Sequence, residues 1–363
     1  MLPPTVPRRP WNVIPFPAGA IRHRPAPLVP PVRSGRAPWR AIAWGVLAVV
    51  LALALGVLGT AWWTVQRISA RVARMPDAFS MPAAQRPPRA ASAGRSVNVL
   101  VAGLDGEDCT GAVHGARSDA IMVLHLDANR RKAWVVSIPR DAWVPIPGHR
   151  DNKVNAAYSL GGPGLFVQTI ESLTGLRMDH LVVLDWTALR RLTDAVGGVP
   201  VSVLSPATVR GDSSKSEVAL ALSGDMALPY LSERKHLPDG DFDRVKRQQH
   251  FLRAFVRQAL ERNTLADPGA LRALAAAVGD AVRVDAQLTT REMLVLAAST
   301  RHLRAADFTY LTAPSSGSEM HGAADAVVYD RAGGAALWQA MAADRMPEFV
   351  AEHPRLVTAE HVR

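Results

Sequence analysis

Arginine and aspartate residues occur together where strands are predicted to begin and end. Arg117 and Asp119 come just before the second predicted strand, and Arg140 and Asp141 follow directly after the third. Neighbouring strand ends of an α/β sheet form the crevice in which ligands bind. Because a guanidinium group makes two-point contacts with phosphate oxygens, Arg117 and Arg140 are candidates for holding one phosphate group together. A surface ion pair of little energetic value is the alternative for each Arg-Asp pair.

Two carboxylates suggest a magnesium site. Asp105 stands at the end of the first predicted strand, and Asp119 stands beside the second. Mg2+ is typically held by one or two carboxylates together with substrate phosphates and water, so these residues are its candidate ligands. A turn-forming role is the alternative for Asp105. Cys109 is the only cysteine, which excludes a CxxC metal site and an intrachain disulfide, and the eleven histidines show no metal-ligand spacing.

A charged helix start is the most informative segment. The helix is predicted to begin at Asp241 or Phe242 and to end near Arg262. Arg244 and Gln248 are four residues apart and therefore share one face of its first turns. A helix N-terminus offers free N–H groups and a partial positive charge, which suit a pyrophosphate. A solvated charged face is the alternative.

Three further polar residues are candidates for binding the same ligand. Arg234 precedes the charged helix by a short loop and can approach its start. Lys153 and Asn155 are two apart, so in an extended run their side chains point the same way. Other catalytic schemes find no support, because the chain has no GxSxG, HExxH or GxxxxGK[ST] motif and no clear GxGxxG motif.

Strand and helix patterns alternate along the chain, which predicts an α/β sheet with helices on its faces. The short apolar runs predict strands, with a hairpin between the second and third, and the longer periodic runs predict helices. The predicted strands are Val97–Gly103, Ala120–Leu126, Ala133–Ile138, His180–Leu184, Val199–Val203 and Tyr310–Pro314, and the helices besides 242–262 are Leu165–Leu173, Trp186–Val196 and Thr289–Leu303.

Three segments are predicted before the folded domain. Residues 1–40 are rich in Pro, Arg and Gly and predict a disordered tail. Residues 41–66 carry no charge and exceed the roughly 20 apolar residues that cross a bilayer, so they predict one transmembrane helix. A cleaved signal peptide would have a shorter apolar region. Residues 67–96, with several prolines among Ala, Ser and Arg, predict a linker.

The positive charge is concentrated in these leading segments. Residues 1–98 contain thirteen Arg and one acidic residue, Asp77, so their net charge is +12. Because the whole chain has a net charge of +10, the residues after Asn98 carry about −2. Nucleic-acid binding normally needs a basic face on the folded domain, so a nucleic-acid partner is not expected. Seven Arg residues precede 41–66, whereas three lie shortly after it. This difference favours a cytoplasmic N-terminus, which puts the domain outside the membrane.

Together these segments resemble the LytR-CpsA-Psr family over about residues 97–262 with the preceding anchor. The order and spacing of the motifs carry the resemblance, and the matching runs are Asn98–Asp105, Arg117–Asp119, Ser137–Asp141, Lys153–Tyr158, Gly161–Pro163, Gly197–Val199, Asp241–Arg244 and Arg247–Gln249. The resemblance implies an α-β-α sandwich around a mixed central sheet, with a catalytic domain over 97–345 followed by a C-terminal tail, 346–363.

The resemblance also implies an activity and a site. Such proteins bury a polyprenyl chain in an apolar pocket and transfer a glycopolymer from the polyprenyl-pyrophosphate carrier to peptidoglycan outside the membrane. Its matching positions imply Mg2+ at Asp105 and Asp119, catalytic roles for Arg117, Asp119, Arg140 and Asp141, and pyrophosphate binding by Arg117, Arg140, Lys153, Asn155, Arg234, Arg244 and Gln248.

One departure from the family pattern leaves other functions open. The family usually has Tyr-x-Arg-x-Arg where this chain has Tyr230-Leu231-Ser232-Glu233-Arg234, so Ser232 replaces one arginine. A lost charge-assisted contact is worth roughly 1.5–3 kcal/mol. Hydrolysis of the lipid pyrophosphate, or lipid binding by a membrane-bound regulator without turnover, are therefore the alternatives to transfer.

Overall fold

A seven-stranded sheet forms the centre of the domain. The computed structural model describes residues 66, 70–104, 117–206, 215–233, 237, 240–261 and 268–359. The strands lie in the order β1, β10, β7, β2, β3, β4, β11. Their bounds are Ala73–Met75 (β1), Val97–Leu104 (β2), Ser118–Leu126 (β3), Ala133–Ser137 (β4), His180–Asp185 (β7), Val282–Asp285 (β10) and Phe308–Thr312 (β11).

The sheet is mixed, as predicted. Strands β2, β3 and β4 are antiparallel neighbours, which confirms the predicted hairpin, and in it Val123 pairs with Leu100 on one side and with Val136 on the other. Strand β7 runs parallel to β2, and β11 runs parallel to β4. Because parallel neighbours need a crossover, helices separate these strands in the chain.

Helices cover both faces of this sheet. Side chains alternate between the faces along a strand, so Leu100 and Ala102 point to one face and Val101 to the other. The first face packs on residues of α1, α7 and α8, and the second packs on α4. The helices are Ala156–Thr174 (α1), Trp186–Ala195 (α2), Gly224–Ser232 (α3), Asp241–Glu261 (α4), Pro268–Ala281 (α5), Thr290–Ser299 (α6), Arg331–Ala342 (α7) and Met346–Glu352 (α8).

Three two-stranded ribbons lie beside the central sheet. They are β5 with β6 (Trp143–Val144, Asn152–Lys153), β8 with β9 (Val199–Pro206, Lys215–Leu222) and β12 with β13 (Ser315–His321, Ala324–Tyr329). The strand predicted at Val199–Val203 therefore exists but belongs to a separate ribbon. Its residues Val199 and Val201 pack with α3 and α4 in a second, smaller core.

The prediction of a linker over 67–96 is wrong for most of that range. Strand β1 pairs in parallel with β10 at one edge of the sheet. Ala78 is buried in the main core. The Arg86 guanidinium is buried against the Glu171 carboxylate of α1, with Nη2 donating to Oε1 at 2.6 Å. Proline and arginine suggested a solvated chain, whereas these residues make specific buried contacts.

The C-terminal segment also differs from its prediction as a tail. Met346 and Phe349 of α8 are buried in the main core, so residues 346–352 belong to the folded domain. Within the part of the chain that the structure describes, none of the helices is long and apolar enough to cross a membrane. The predicted tail, 1–40, and the membrane segment up to residue 65 lie outside the described residues.

Candidate functional site

Arg140 is the centre of a cluster of charged side chains. Its Nη1 atom contacts Oδ1 of Asp119, the second residue of β3. Its Nε atom lies 3.7 Å from Oδ2 of Asp141 and 3.5 Å from Oδ1 of Asp241. Lys153 extends the cluster, because its Nζ atom lies 3.3 Å from Oδ1 of Asp141. Four regions of the chain that carry predicted motifs therefore meet at one place.

The start of α4 supplies the other half of this cluster. Asp241 is the first residue of α4, and its Oδ1 atom lies 2.5 Å from Nη2 of Arg244. The Arg244 side chain is only 3% exposed, and its Nε atom has no hydrogen-bond partner among the described residues. Buried donors nearly always have a partner. An unsatisfied guanidinium N–H at this position is therefore suited to donate to an anionic ligand.

The electrostatics of the two arginines differ. Burial lowers the pKa of the Arg140 guanidinium, but the carboxylates of Asp119, Asp141 and Asp241 raise it by more, so the net pKa is raised. Burial lowers the pKa of Arg244; Asp241 opposes this shift, and Arg140 adds to it. Both groups stay protonated, since an arginine titrates far above neutral pH. Arg244 is thus the cation whose charge is less well compensated.

Turns of the chain after β4 position this cluster. The Ala142 N–H donates to the carbonyl of Pro139 at 3.0 Å, which turns the chain at Arg140. The Asn155 N–H donates to the carbonyl of Arg140 at 3.1 Å. Asn155 has helical backbone angles at the start of α1, so the extended run predicted to align it with Lys153 ends before it. Asn155 is buried, and the bond from its backbone N–H holds it next to Arg140.

An apolar cavity of about 150 Å³ lies next to the charged cluster. Its floor is the sheet face at Gly103, Ala120 and Met122, and its walls are side chains of α2, α3 and α4. Gln248 lines the cavity one helical turn after Arg244, on the same face of α4. The remaining lining residues are Val101, Leu104, Leu184, Asp185, Trp186, Leu189, Leu192, Leu231, Phe251, Leu252 and Phe255.

The remaining predicted arginine and aspartate residues of the site are Arg117, Asp105 and Arg234. Arg117 is exposed immediately before β3. Asp105 and Arg234 lie outside the described residues, so their predicted roles stay predictions. Ser232 is exposed at the end of α3 and donates its hydroxyl to the carbonyl of Leu228 at 2.8 Å. That hydroxyl interaction within its own helix contributes no positive charge.

The donor set fits a sparsely coordinated cation. Within the described ranges there is no group of three or more His, Cys, Asp or Glu side chains arranged as a metal site. Mg2+ does not require one, because substrate phosphates and water complete its shell. Asp119 contacts Arg140 through Oδ1, and its side chain is 15% exposed. Its second oxygen is a carboxylate atom of the type that such an ion binds.

Asp241 is the site residue that sequence reasoning missed. The motif around it predicted a helix start, and no role in the site was assigned to it. In the structure its carboxylate lies between the guanidinium groups of Arg140 and Arg244. The spacing of three between Asp241 and Arg244 on a helix was the available signal for their ion pair. Contact with Arg140 depends on the tertiary fold and had no local signal.

Comparison with known proteins gives consistent results. Residues 69–342 match the model of the LytR_cpsA_psr family. The chain is 33% identical over 192 residues to "Polyisoprenyl-teichoic acid--peptidoglycan teichoic acid transferase TagU" of Halalkalibacterium halodurans, covering 53% of this chain and 61% of that protein. It is 37% identical over 163 residues to "Probable cell wall biosynthesis protein LcpB" of Corynebacterium glutamicum, covering 44% and 38%.

A solved structure shares the fold. The LytR-Csp2A-Psr enzyme from Actinomyces oris superposes with a TM-score of 0.57 at 21% identity, over 75% of this chain and 96% of that one. The chain thus spans about three fifths of the TagU protein and under two fifths of LcpB, whereas the family model covers most of the described domain. With the motif order, the mixed sheet and the family match in agreement, this chain belongs to the LytR_cpsA_psr family.

Proposed function

We propose that this chain transfers a glycopolymer from a polyprenyl-pyrophosphate carrier to a hydroxyl group of peptidoglycan. In this proposal residues 41–66 anchor it in the cell membrane as a single pass, and the folded domain lies outside the cytoplasm. The observation that carries it is the position of the charged cluster beside an apolar cavity. Gln248 lines the cavity, while Arg244, one turn away, has a buried Nε atom with no hydrogen-bond partner among the described residues. A lipid pyrophosphate has the matching chemistry, an apolar chain joined to a double anion.

The proposed reaction breaks one bond and forms one bond. A peptidoglycan hydroxyl attacks the phosphorus that carries the glycopolymer, the P–O–P bond breaks, and polyprenyl phosphate leaves. Arg140 and Arg244 neutralise the oxygens that gain charge, which is the main electrostatic contribution expected for phosphoryl transfer. A carboxylate of the cluster accepts the proton of the attacking hydroxyl. Asp119 and Asp141 are the candidates for this base. Both contact Arg140, which is proposed to bind the phosphate that the hydroxyl attacks.

Charge balance supports a role for Mg2+. Three carboxylates in the described cluster balance three cations, namely Asp119, Asp141 and Asp241 against Arg140, Lys153 and Arg244. A pyrophosphate would therefore add uncompensated negative charge. Bound Mg2+, with Asp119 and the predicted ligand Asp105 as its protein ligands, would supply the missing positive charge. Arg117 and Arg234, predicted to approach the same ligand, would add to it.

The cavity sets a limit on how much of the lipid is enclosed. A closed apolar cavity of about 150 Å³ holds a molecule the size of benzene. The cavity of this domain has about that volume. The cavity of this domain is open on one side, so a short part of a prenyl chain fits inside it and the rest can extend out of it.

Turnover of a defined substrate tests the proposal. The full chain in detergent is incubated with Mg2+, a polyprenyl-pyrophosphate-linked glycopolymer and peptidoglycan fragments, and the products are identified by mass. Arg244→Ala should lower the rate of transfer by at least about 100-fold. Lys132→Ala is the matched control, since Lys132 forms an exposed ion pair with Asp307 and should retain the full rate. Equal rates for wild type and Arg244→Ala would refute the proposed site.

The same assay separates the two alternatives. Hydrolysis would release free glycopolymer even when peptidoglycan fragments are present, whereas transfer gives a covalent conjugate. A regulator would bind the lipid without releasing polyprenyl phosphate. Ser232 is the observation that favours the last alternative, because its hydroxyl supplies no charge. If wild type binds without turnover and Ser232→Arg turns the lipid over, the chain acts as a regulator in its present form.

A further inference from the structure

Helix α6 presents an apolar stripe to its surroundings. Leu294 and Val295 are 46% and 51% exposed, and Ala298 is exposed beside them. The spacing of these residues places them on one side of the helix together with Arg291. Met293 and Leu296 point to the other side and pack on the core formed by Val72, Val282, Val284 and Leu288. The exposed residues Leu294, Val295 and Ala298 therefore do not take part in packing α6 on the domain.

The position of α6 ties this stripe to the start of the domain. Strand β1 pairs with β10, and β10 leads through Leu288 into α6. The Arg74 guanidinium of β1 donates to the Leu288 carbonyl, which fixes the beginning of α6 to β1. The predicted membrane segment ends at residue 66, and β1 begins at Ala73. The seven Cα–Cα steps from residue 66 to Ala73 span at most about 25 Å, so this edge of the sheet stays close to the bilayer.

The same edge adjoins the apolar cavity. Leu184 of β7 lines the cavity and also packs in the core beneath α6, beside Val282 and Met293. Ala188 of α2 belongs to that core too. Helix α6 and the cavity wall formed by β7 and α2 thus share one small core. A lipid leaving the bilayer beside α6 has a short path to the cavity.

The charges around the stripe fit a lipid surface. Arg291 lies on the stripe itself, and Arg301 is exposed just after the helix ends. Arg71, two residues before β1, is exposed as well. Glu292 is the acidic residue of α6, and it points to one side of the stripe. Apolar side chains bordered by arginines are the pattern of helices that lie in the interface of an anionic bilayer.

We propose that α6 is a membrane-surface contact, which inserts Leu294 and Val295 into the headgroup region of the bilayer and holds the cavity side of the domain against it. This inference rests on the anchoring of the chain by residues 41–66, which is part of the proposed function. The occupant of the stripe is the bilayer, because the anchor limits the distance and arginines border the apolar residues.

Depth-dependent quenching tests this contact. The full chain, with Cys109→Ser and Leu294→Cys, carries one nitrobenzoxadiazole label in nanodiscs of phosphatidylglycerol and phosphatidylethanolamine. Met320→Cys is the matched control. Met320 is also an exposed apolar residue, at 60%, but it lies on β12, which follows β11 at the opposite edge of the sheet. Nitroxide-labelled lipids should quench position 294 at least twofold more than position 320.

Each outcome decides the matter. Equal quenching at the two positions, in a chain that resists extraction by alkaline carbonate, would overturn the membrane contact but leave the anchor intact. Release of the chain by carbonate would overturn both. Protection of position 294 from aqueous iodide without quenching by lipid would show a protein on the stripe, and would also overturn the inference. Val295→Cys repeats the measurement at a second exposed position.

Discussion

The Nε atom of Arg140 lies 3.5 Å from Oδ1 of Asp241, and that same oxygen lies 2.5 Å from Nη2 of Arg244. One carboxylate therefore separates two guanidinium groups that come from distant parts of the chain. Both arginines are largely buried, with side chains 12% and 3% exposed. Without the carboxylate between them, their repulsion would be poorly screened by solvent.

Replacement of the Asp241 carboxylate should lower the stability of the domain while leaving its two arginines able to bind an anion. We expect Asp241→Asn to lower the free energy of unfolding by about 2–4 kcal/mol, because breaking a buried ion pair leaves uncompensated charge. Inorganic pyrophosphate should then restore part of the loss, since it can take the place of the carboxylate between the arginines. Thermal unfolding of the detergent-solubilised chain, with and without pyrophosphate, measures both effects.

A matched variant controls for loss of negative charge alone. Asp225 pairs with Arg190 at the surface, and its side chain is 76% exposed. Asp225→Asn should change the free energy of unfolding by less than about 0.5 kcal/mol and should not alter the response to pyrophosphate. If Asp241→Asn behaves like Asp225→Asn, Asp241 does not hold the two arginines together.

The geometry of Arg140 predicts that lysine cannot replace it. Arg140 contacts Asp119 through Nη1 while its Nε atom faces Asp141 and Asp241. A lysine keeps the charge but offers one ammonium group instead of a planar fork. We expect Arg140→Lys to lower kcat for transfer by about 10²–10³-fold. Steady-state kinetics with the lipid-linked substrate measure this, and a rate within threefold of wild type would contradict the role of the fork.

Local patterns predicted the parts of the site but not how they meet. Arg140 and Arg244 were visible because they lie at the end of a predicted strand and at the start of a predicted helix, and Lys153 was visible through its spacing of two from Asn155. The role of Asp241 was not visible, since its contact with Arg140 depends on how α4 crosses the sheet. Cavity size was equally out of reach of the sequence, because the cavity is the space left between β2, β3 and three helices.

The errors at the two ends of the domain have one physical cause. Segments 67–96 and 346–363 lack long apolar runs, so they suggested solvated chain. In the structure, single buried residues such as Ala78, Met346 and Phe349 attach them to a core that other elements supply. Arg86 is buried too, although arginine usually marks an exposed segment, because Glu171 neutralises it. Such attachments depend on a distant partner and leave no periodic signal.

The buried pair of Arg86 and Glu171 predicts that the early segment is needed for stability. The Glu171 side chain is 1% exposed, and its Oε1 atom also accepts the Met178 N–H at 2.8 Å. Arg86→Ala should lower the free energy of unfolding by about 3–5 kcal/mol, because Glu171 is left buried without its counter-charge. Chemical denaturation of both proteins measures the difference.

A paired substitution distinguishes this ion pair from a general effect of truncation. Arg86→Met combined with Glu171→Met removes both charges and keeps similar apolar bulk. The double variant should be more stable than Arg86→Ala, since no buried charge remains unpaired. Equal losses in the two proteins would mean that the loss of the ion pair itself, rather than the burial of an unpaired Glu171 charge, destabilises the domain.

Filling the apolar cavity should impair use of the lipid without disturbing the charged cluster. Ala120 lies on the cavity floor in β3, where a β-branched residue suits a strand. Ala120→Ile adds bulk to the cavity of about 150 Å³, so a prenyl chain has less room. We expect KM for the lipid-linked substrate to rise at least about tenfold, which corresponds to roughly 1.4 kcal/mol.

Binding of inorganic pyrophosphate should stay within twofold of wild type in Ala120→Ile, because Asp119, Arg140 and Arg244 are unchanged. Ala120→Ser, which hardly changes the volume, is the control for the position. A parallel loss of pyrophosphate binding in Ala120→Ile would mean that the cavity and the cluster cannot be altered separately, and an unchanged KM would mean that the prenyl chain binds elsewhere.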